Sequence, residues 1–221
     1  YLRYRIGLSH QKADRWQEAA QDLEEAVRLA EKRGDRPSQL TAELARQALY
    51  RMYLDLGRLA WDKQARKEAL EHFERAKRWA RDEGAVVEIA FTVSALLHED
   101  DAHAEALTEL QAVIDRHPEV AYGRGSARDY AREHIQVILN AVGRTAYAPF
   151  EEQARTLLSA AEQSRLVDDY ARVVRRFPNS LSAETALLRS AEILFAAELV
   201  PDAQERLRLL TRLIKRKDVT V

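Results

Sequence analysis

The sequence predicts an all-α fold, a solenoid of antiparallel helical hairpins. Three observations predict it. Glycine and proline, the turn formers, number 7 and 5 in 221 residues, while Ala, Leu, Glu and Arg, strong helix formers, dominate. Apolar residues recur at helical spacing nearly throughout, and no alternating strand pattern appears. A fixed spacing of small and large residues also returns along the chain.

The spacing predicts helices over about 2–13, 15–33, 38–63, 65–83, 86–99, 102–117, 127–141, 150–163, 164–177, 181–197 and 201–216. There are eleven if 150–177 is split and ten if it is one helix. Gly34 follows Glu31-Lys32-Arg33 in the stop position of a helix, and Gly84 is expected to do the same after Arg81-Asp82-Glu83. Pro118 and Pro178 end helices, and Pro201 sits where one begins, because its missing N–H is not needed there. The two clearest loops are Tyr122 to Ser126 and Gly143 to Pro149.

The recurring spacing starts from a small residue. Gly7 leads to Ala19, Leu23 and Ala26, and Gly57 leads to Ala69, Phe73 and Ala76 at identical intervals. Ser94 leads to Ala106, Leu110 and Val113, and Ala191 to Ala203, Leu207 and Leu210. Ala154 leads to Leu166, Tyr170 and Val173, with a large residue at the second position. A small residue in the first helix lets the second approach. The small residue twelve later is expected to meet it, and the larger one four further on to fill the space between successive hairpins. One such hairpin cannot bury its apolar face alone, so the units stack.

These residues resemble the tetratricopeptide repeat family. Ile6-Gly7, Trp16, Glu18-Ala19, Leu23 and Ala26 form the closest copy, followed by Leu56-Gly57, Glu68-Ala69-Leu70, Phe73 and Ala76. The ending Phe177-Pro178-Asn179-Ser180 looks like that of bacterial cell-envelope members. The resemblance implies a right-handed superhelix of about five repeats. It implies one domain over 1–221, with irregular insertions near 34–49 and 121–146. The first insertion lengthens the front helix of the second repeat; the second supplies the helix at 127–141, whose partner the spacing does not assign.

Function follows from the resemblance: a scaffold or adaptor that holds a protein or peptide on a helical concave surface, in a cell envelope rather than the cytoplasm. Two other readings compete. One is a regulatory or accessory domain of a larger enzyme or transcription regulator, which the segment Ala26 to Asp35 resembles. The other is a self-assembling structural protein, since open helical ends can stack into homo-oligomers. The chain opens at Tyr1 without Met and is expected to be a fragment.

In the resembling family, ligands lie along the first helix of each hairpin. The matching positions are Tyr4, Arg5, Leu8 and Lys12, then Arg51, Leu54, Asp55, Arg58, Trp61 and Asp62. Leu54, Arg58 and Trp61 form one stripe at helical spacing, with residue types that dominate interfaces. The competing reading packs Leu54 and Trp61 against a neighbouring hairpin, with Tyr53, Leu56, Gly57 and Ala60 facing inward. Chaperone-docking members grip a carboxylate-terminated tail with cations and asparagines. The positions here are Tyr4, Leu8, Asp55, Glu88 and Thr92, which would repel such a tail.

Composition bounds the other classes. Lys and Arg number 35 against 36 Asp and Glu, and the near balance argues against nucleic acid as a partner. The cluster Arg212, Lys215, Arg216, Lys217 reads as the solvated last turn of a helix. No apolar run approaches the ~20 residues of a membrane span, so no membrane insertion is expected. The chain has no cysteine, which excludes disulfides and Cys-based metal chemistry. His98 and His103 flank Glu99-Asp100-Asp101 but stand five apart, not four, and read as a solvated acidic turn. Gly123-Arg124-Gly125 lacks the rest of a phosphate loop, and no nucleophile elbow occurs. No catalytic residue, metal or cofactor is expected.

Overall fold

The structure is a computed structural model and describes residues 1–218. Among the described residues it holds eleven α-helices. In chain order they are α1 (Leu2–Lys12), α2 (Trp16–Arg33), α3 (Arg36–Asp62), α4 (Arg66–Trp79), α5 (Glu83–Glu99) and α6 (His103–Arg116). Then come α7 (Ala127–Val142), α8 (Ala148–Ser164), α9 (Val167–Arg176), α10 (Leu181–Ala196) and α11 (Val200–Asp218). The expected boundaries hold to within a few residues because real caps punctuate the chain. Gly34 adopts φ 71° after α2, and Asp35 accepts a hydrogen bond from Ser38 N at 2.8 Å to start α3. Ser126 and Ser180 start α7 and α10 in the same manner. The side chains of Lys215, Arg216 and Lys217, in the expected basic last turn, lie outside the described residues; Arg212 is exposed.

Two expectations fail locally. Gly84 does not end a helix. Helix α4 stops at Trp79, Ala80 turns to ψ 138°, and Gly84 sits in the first turn of α5. Asp82 Oδ1 accepts from Ala85 N there at 2.9 Å, so a carboxylate starts the new helix where a glycine was expected to close the old one. The stretch 121–126 is not simply a loop. It forms a two-residue antiparallel ladder, β1 (Ala121–Tyr122) with β2 (Gly125–Ser126). Tyr122 holds this short hairpin by packing its ring on Phe91 and Tyr130, with centroids 4.6 and 4.8 Å apart.

The chain groups into two compact units, Tyr1–Ile89 and Ala90–Val221, which divide within α5. In the first unit α1 pairs with α2, α3 packs on α2, and α4 folds back on α3. Helix α3 is 27 residues long and takes in most of the stretch 34–49. Asp22 on α2 is buried against α1, where Arg3 Nη1 and His10 Nδ1 reach its two oxygens at 2.7 and 2.9 Å. In the second unit α7 packs on α6, which answers the open question of its partner, and α8, α9, α10 and α11 pack in succession.

Four of the hairpin turns are the same object. Asp14, Gln64, Asp101 and Glu198 each take a left-handed conformation, φ 55–60°. After each, a backbone N–H donates to the carbonyl five residues back: Arg15 to His10, Ala65 to Ala60, Ala102 to Leu97 and Leu199 to Leu194, at 2.8–3.0 Å. Gly7, Gly57, Ser94 and Ala191 all lie seven residues before the left-handed residue, and all are buried. Ala19, Ala69, Ala106 and Ala203 all lie five after it, and all are buried. The spacing in the sequence is therefore the spacing of one turn.

The residue sixteen on has a different task from the one expected. A Cβ built on Gly7 would lie 2.8 Å from Leu23 Cγ, and one on Gly57 would lie 2.7 Å from Phe73 Cε1. Leu23 and Phe73 thus fill the space over their own glycine, inside the hairpin rather than between hairpins. In the last copy Leu207 is 44% exposed, unlike its buried counterparts Leu23, Phe73 and Leu110. The copy starting at Ala154 departs at the turn. Arg165 is left-handed directly after α8, its N–H bonds Ala161 O at 2.8 Å, and Leu166 is 60% exposed. This turn is one residue shorter than the other four, and Ala154 lies eleven residues before its left-handed residue rather than seven, so the register of Ala154 is not that of Gly7.

A left-handed conformation costs a residue with a Cβ about 1–2 kcal/mol, and glycine gives back part of the gain as unfolded-state entropy. Gln64→Gly is therefore expected to stabilise the chain by about 0.5–1 kcal/mol, read as a raised urea midpoint with unchanged slope.

Candidate functional site

The ten residues singled out on the first helices lie on α1 and α3. Arg5, Lys12, Arg51, Asp55, Arg58 and Asp62 are exposed, while Tyr4, Leu8, Leu54 and Trp61 are half-buried. On α3 the stripe gains a member that spacing did not single out. Tyr50, half-buried, has its phenol raised above the ordinary value by burial and by Glu88, with Arg58 opposing the shift. Glu88, on α5, and Arg58 therefore both act on the same hydroxyl.

A second surface of the first unit was not legible in the sequence. A groove of about 530 Å³ runs between α2 and α4, with Tyr53 of α3 at its base. Gln17, Gln21 and Glu24 line one wall, and Arg75, Arg78 and Trp79 the other. Tyr53 is buried, and burial raises its phenol above the ordinary value, with Glu24 adding to the rise and Arg75 opposing it. The Arg75 guanidinium stands 5.7 Å from the centre of the Tyr53 ring, and the His72 ring stacks on that ring at 6.0 Å. Tyrosine, tryptophan and two arginines meet here around an acid and two amides. Tyr53 belonged to the expected inward-facing set, and the helical period did not reveal that its outer edge is open.

In the second unit, His98 and His103 are more than a solvated turn. Their rings touch across the α5–α6 turn, Nδ1 to Nδ1 at 3.0 Å, and Asp101 Oδ1 lies 3.5 Å from His103 Nε2. The acidic side chains around them do project outward, with Asp101 exposed. Among the described residues no group of three or more His, Asp or Glu side chains is placed to hold a metal ion. His134 stacks on Tyr130 at 4.1 Å beside this pair. Burial lowers its pKa, Glu133 opposes the shift and His98 adds to it. The unfolded chain therefore takes up a proton at His134 first as pH falls. The stability that this histidine contributes is present above about 6.5, its unfolded pKa, and is lost as pH drops toward the lower folded value. Melting temperature is expected to fall between pH 7.5 and 5.5, and to fall less in His134→Phe, measured by circular dichroism.

A buried polar network holds the α7–α8 region. Tyr147 Oη donates to Gln111 Oε1 at 2.7 Å, and Gln111 Nε2 donates to the Arg176 carbonyl at 2.6 Å. Arg144 donates to the Asn179 carbonyl at 2.7 Å, and Asn179 Nδ2 donates to the Arg132 carbonyl at 3.1 Å. Glu151 accepts from the N–H groups of Leu181 and Ser182 at 2.8 and 3.0 Å, at the start of α10. These bonds position helices; none converges on a reactive centre.

Gly123 and Gly125 belong to the β1–β2 turn rather than to a helix N-terminus. Among the described residues no helix is long and apolar enough to cross a membrane. No family model matches the chain, and no curated protein sequence matches it.

Proposed function

We propose that the chain is a protein-interaction scaffold, a right-handed solenoid of about five tetratricopeptide-type hairpins that holds a polypeptide partner without transforming it. The observation that carries this reading is the recurrence of one turn at Asp14, Gln64, Asp101 and Glu198, each with a small residue seven positions before it and a buried alanine five after. A repeated hairpin makes repeated surfaces, and repeated surfaces suit long ligands. The partner surfaces in the first unit are the α3 stripe and the groove floored by Tyr53.

A photo-crosslinking side chain at Arg78 or Arg58 tests the proposal in cells, with Glu162 on α8 as the control position. The expected result is a covalent adduct with one defined protein from Arg78, Arg58 or both. Adducts no more frequent than from Glu162 contradict it. With the partner in hand, Arg58→Glu and Trp61→Ala are expected to weaken its capture and leave the cooperative melt in place. A lost melt in Trp61→Ala assigns that ring to the core instead.

Self-assembly is the second reading, and one observation favours it. Leu188, Phe195, Leu207 and Ile214 leave a large apolar surface exposed on α10 and α11, with Phe195 at 66%. Light scattering should then show a mass that grows with concentration and returns to monomer in Phe195→Glu. A constant monomer removes this reading.

A further inference from the structure

The second unit contains a groove that the scaffold reading does not use. It is about 320 Å³ in volume and lies where the start of α7, the end of α9 and the helices α10 and α11 meet. Four arginines line it, Arg128, Arg132, Arg175 and Arg212, against a single carboxylate, Asp129. Asp129 lies 3.6 Å from Arg132, and Glu119 pairs with Arg128 from outside the lining. Arg175 and Arg212 are exposed and have no ion-pair partner among the described residues. Val174 and Leu209, both half-buried, add apolar lining between the charges.

We propose that this groove binds an acidic segment of a partner protein, one that carries an apolar side chain between its carboxylates. Charge decides the sign of the ligand. The whole chain has a net charge of −1, whereas this lining sets four arginines against one carboxylate. Arginine forks match carboxylates in pairs of hydrogen bonds. The apolar lining decides the class. A free phosphate or a nucleic-acid backbone would leave the half-buried Val174 and Leu209 uncovered, whereas an acidic peptide with a leucine covers them and satisfies the guanidinium groups together.

The test is a titration of the full chain into a fluorescein-labelled peptide of repeating Glu-Glu-Leu, followed by anisotropy. Saturable binding is expected, weakened about tenfold when Gln replaces Glu and again as salt is raised. Arg175→Glu with Arg212→Glu should reduce affinity by about tenfold or more, while Arg116→Glu with Arg124→Glu, equal in charge change and elsewhere in the unit, should change it less than about twofold. Melting curves confirm that both variants fold. If the first pair does not fold, Arg175→Gln with Arg212→Gln is read in its place. Equal losses in the two double variants would overturn the proposal by making the attraction non-specific. Displacement of the peptide by inorganic phosphate or a single-stranded oligonucleotide as readily as by unlabelled peptide would overturn it too, in favour of a general anion site.

Discussion

Gly57→Ala is expected to destabilise the chain by about 2 kcal/mol, although the same change on an exposed helix face stabilises by about 1 kcal/mol. The inversion comes from a single contact. The new methyl would stand 2.7 Å from Phe73 Cε1 and 2.8 Å from Cδ1, and the ring is fully buried and cannot swing away. Either α4 moves off α3 or the ring leaves its rotamer, and both cost packing. A smaller residue at 73 should relieve the clash. Phe73→Leu alone leaves a cavity and costs about 1–3 kcal/mol, but in the Gly57→Ala background its further cost should largely disappear. Urea denaturation of the four proteins in the cycle measures this. Additive losses would mean that the two residues do not meet.

Tyr147→Ala is expected to cost about 3–5 kcal/mol, the largest single loss in the second unit. Tyr147 is among the largest fully buried side chains, packed with Phe150 at a ring distance of 5.0 Å. Its hydroxyl donates to Gln111 Oε1, and burial holds the phenol neutral far above its ordinary range. Tyr147→Phe separates the two contributions. It keeps the ring and removes the donor, leaving a buried amide oxygen unpaired at a cost of about 1–3 kcal/mol. Pairing Tyr147→Phe with Gln111→Met should cost less than the sum of the two single changes, because the oxygen that needed a donor is gone. Thermal and urea melts of the four proteins give the comparison.

Legibility in the sequence followed the range of the interactions. Helix ends were readable because their causes are local: Gly34 supplies its own left-handed turn, and Pro178 stops α9 from within two residues. Gly84 misled because glycine signals an end only when the chain needs positive φ there, and Ala80 had already turned the chain. The hairpin spacing was readable because one turn geometry imposes it. What that spacing did not disclose was which partner covers the glycine, since Ala19 and Leu23 both stand at plausible distance along α2. Ala154 was misplaced because it lies eleven residues before the left-handed Arg165 rather than seven, an offset hidden by a chance match of residue types. The α7–α8 region stayed opaque because Gln111, Tyr147, Asn179 and Glu151 join segments dozens of residues apart. The groove over Tyr53 was missed for the same reason: Gln21, Tyr53 and Arg78 are ordinary on their own helices and become a surface only where three helices meet.

The scaffold reading stands on four hairpins having one geometry, and the chain has no cysteine to confuse a crosslinking measurement. Cysteine pairs placed at 7 and 23, 57 and 73, and 94 and 110 put a thiol at the small position and at the buried residue sixteen on. Mild oxidation of each folded variant, followed by mass spectrometry, should close all three pairs at similar rates, while the pair at 154 and 170 should remain reduced. Closure at 154 and 170 as fast as at 57 and 73, or no closure at 94 and 110, would contradict a shared hairpin and remove the basis for the repeated surface.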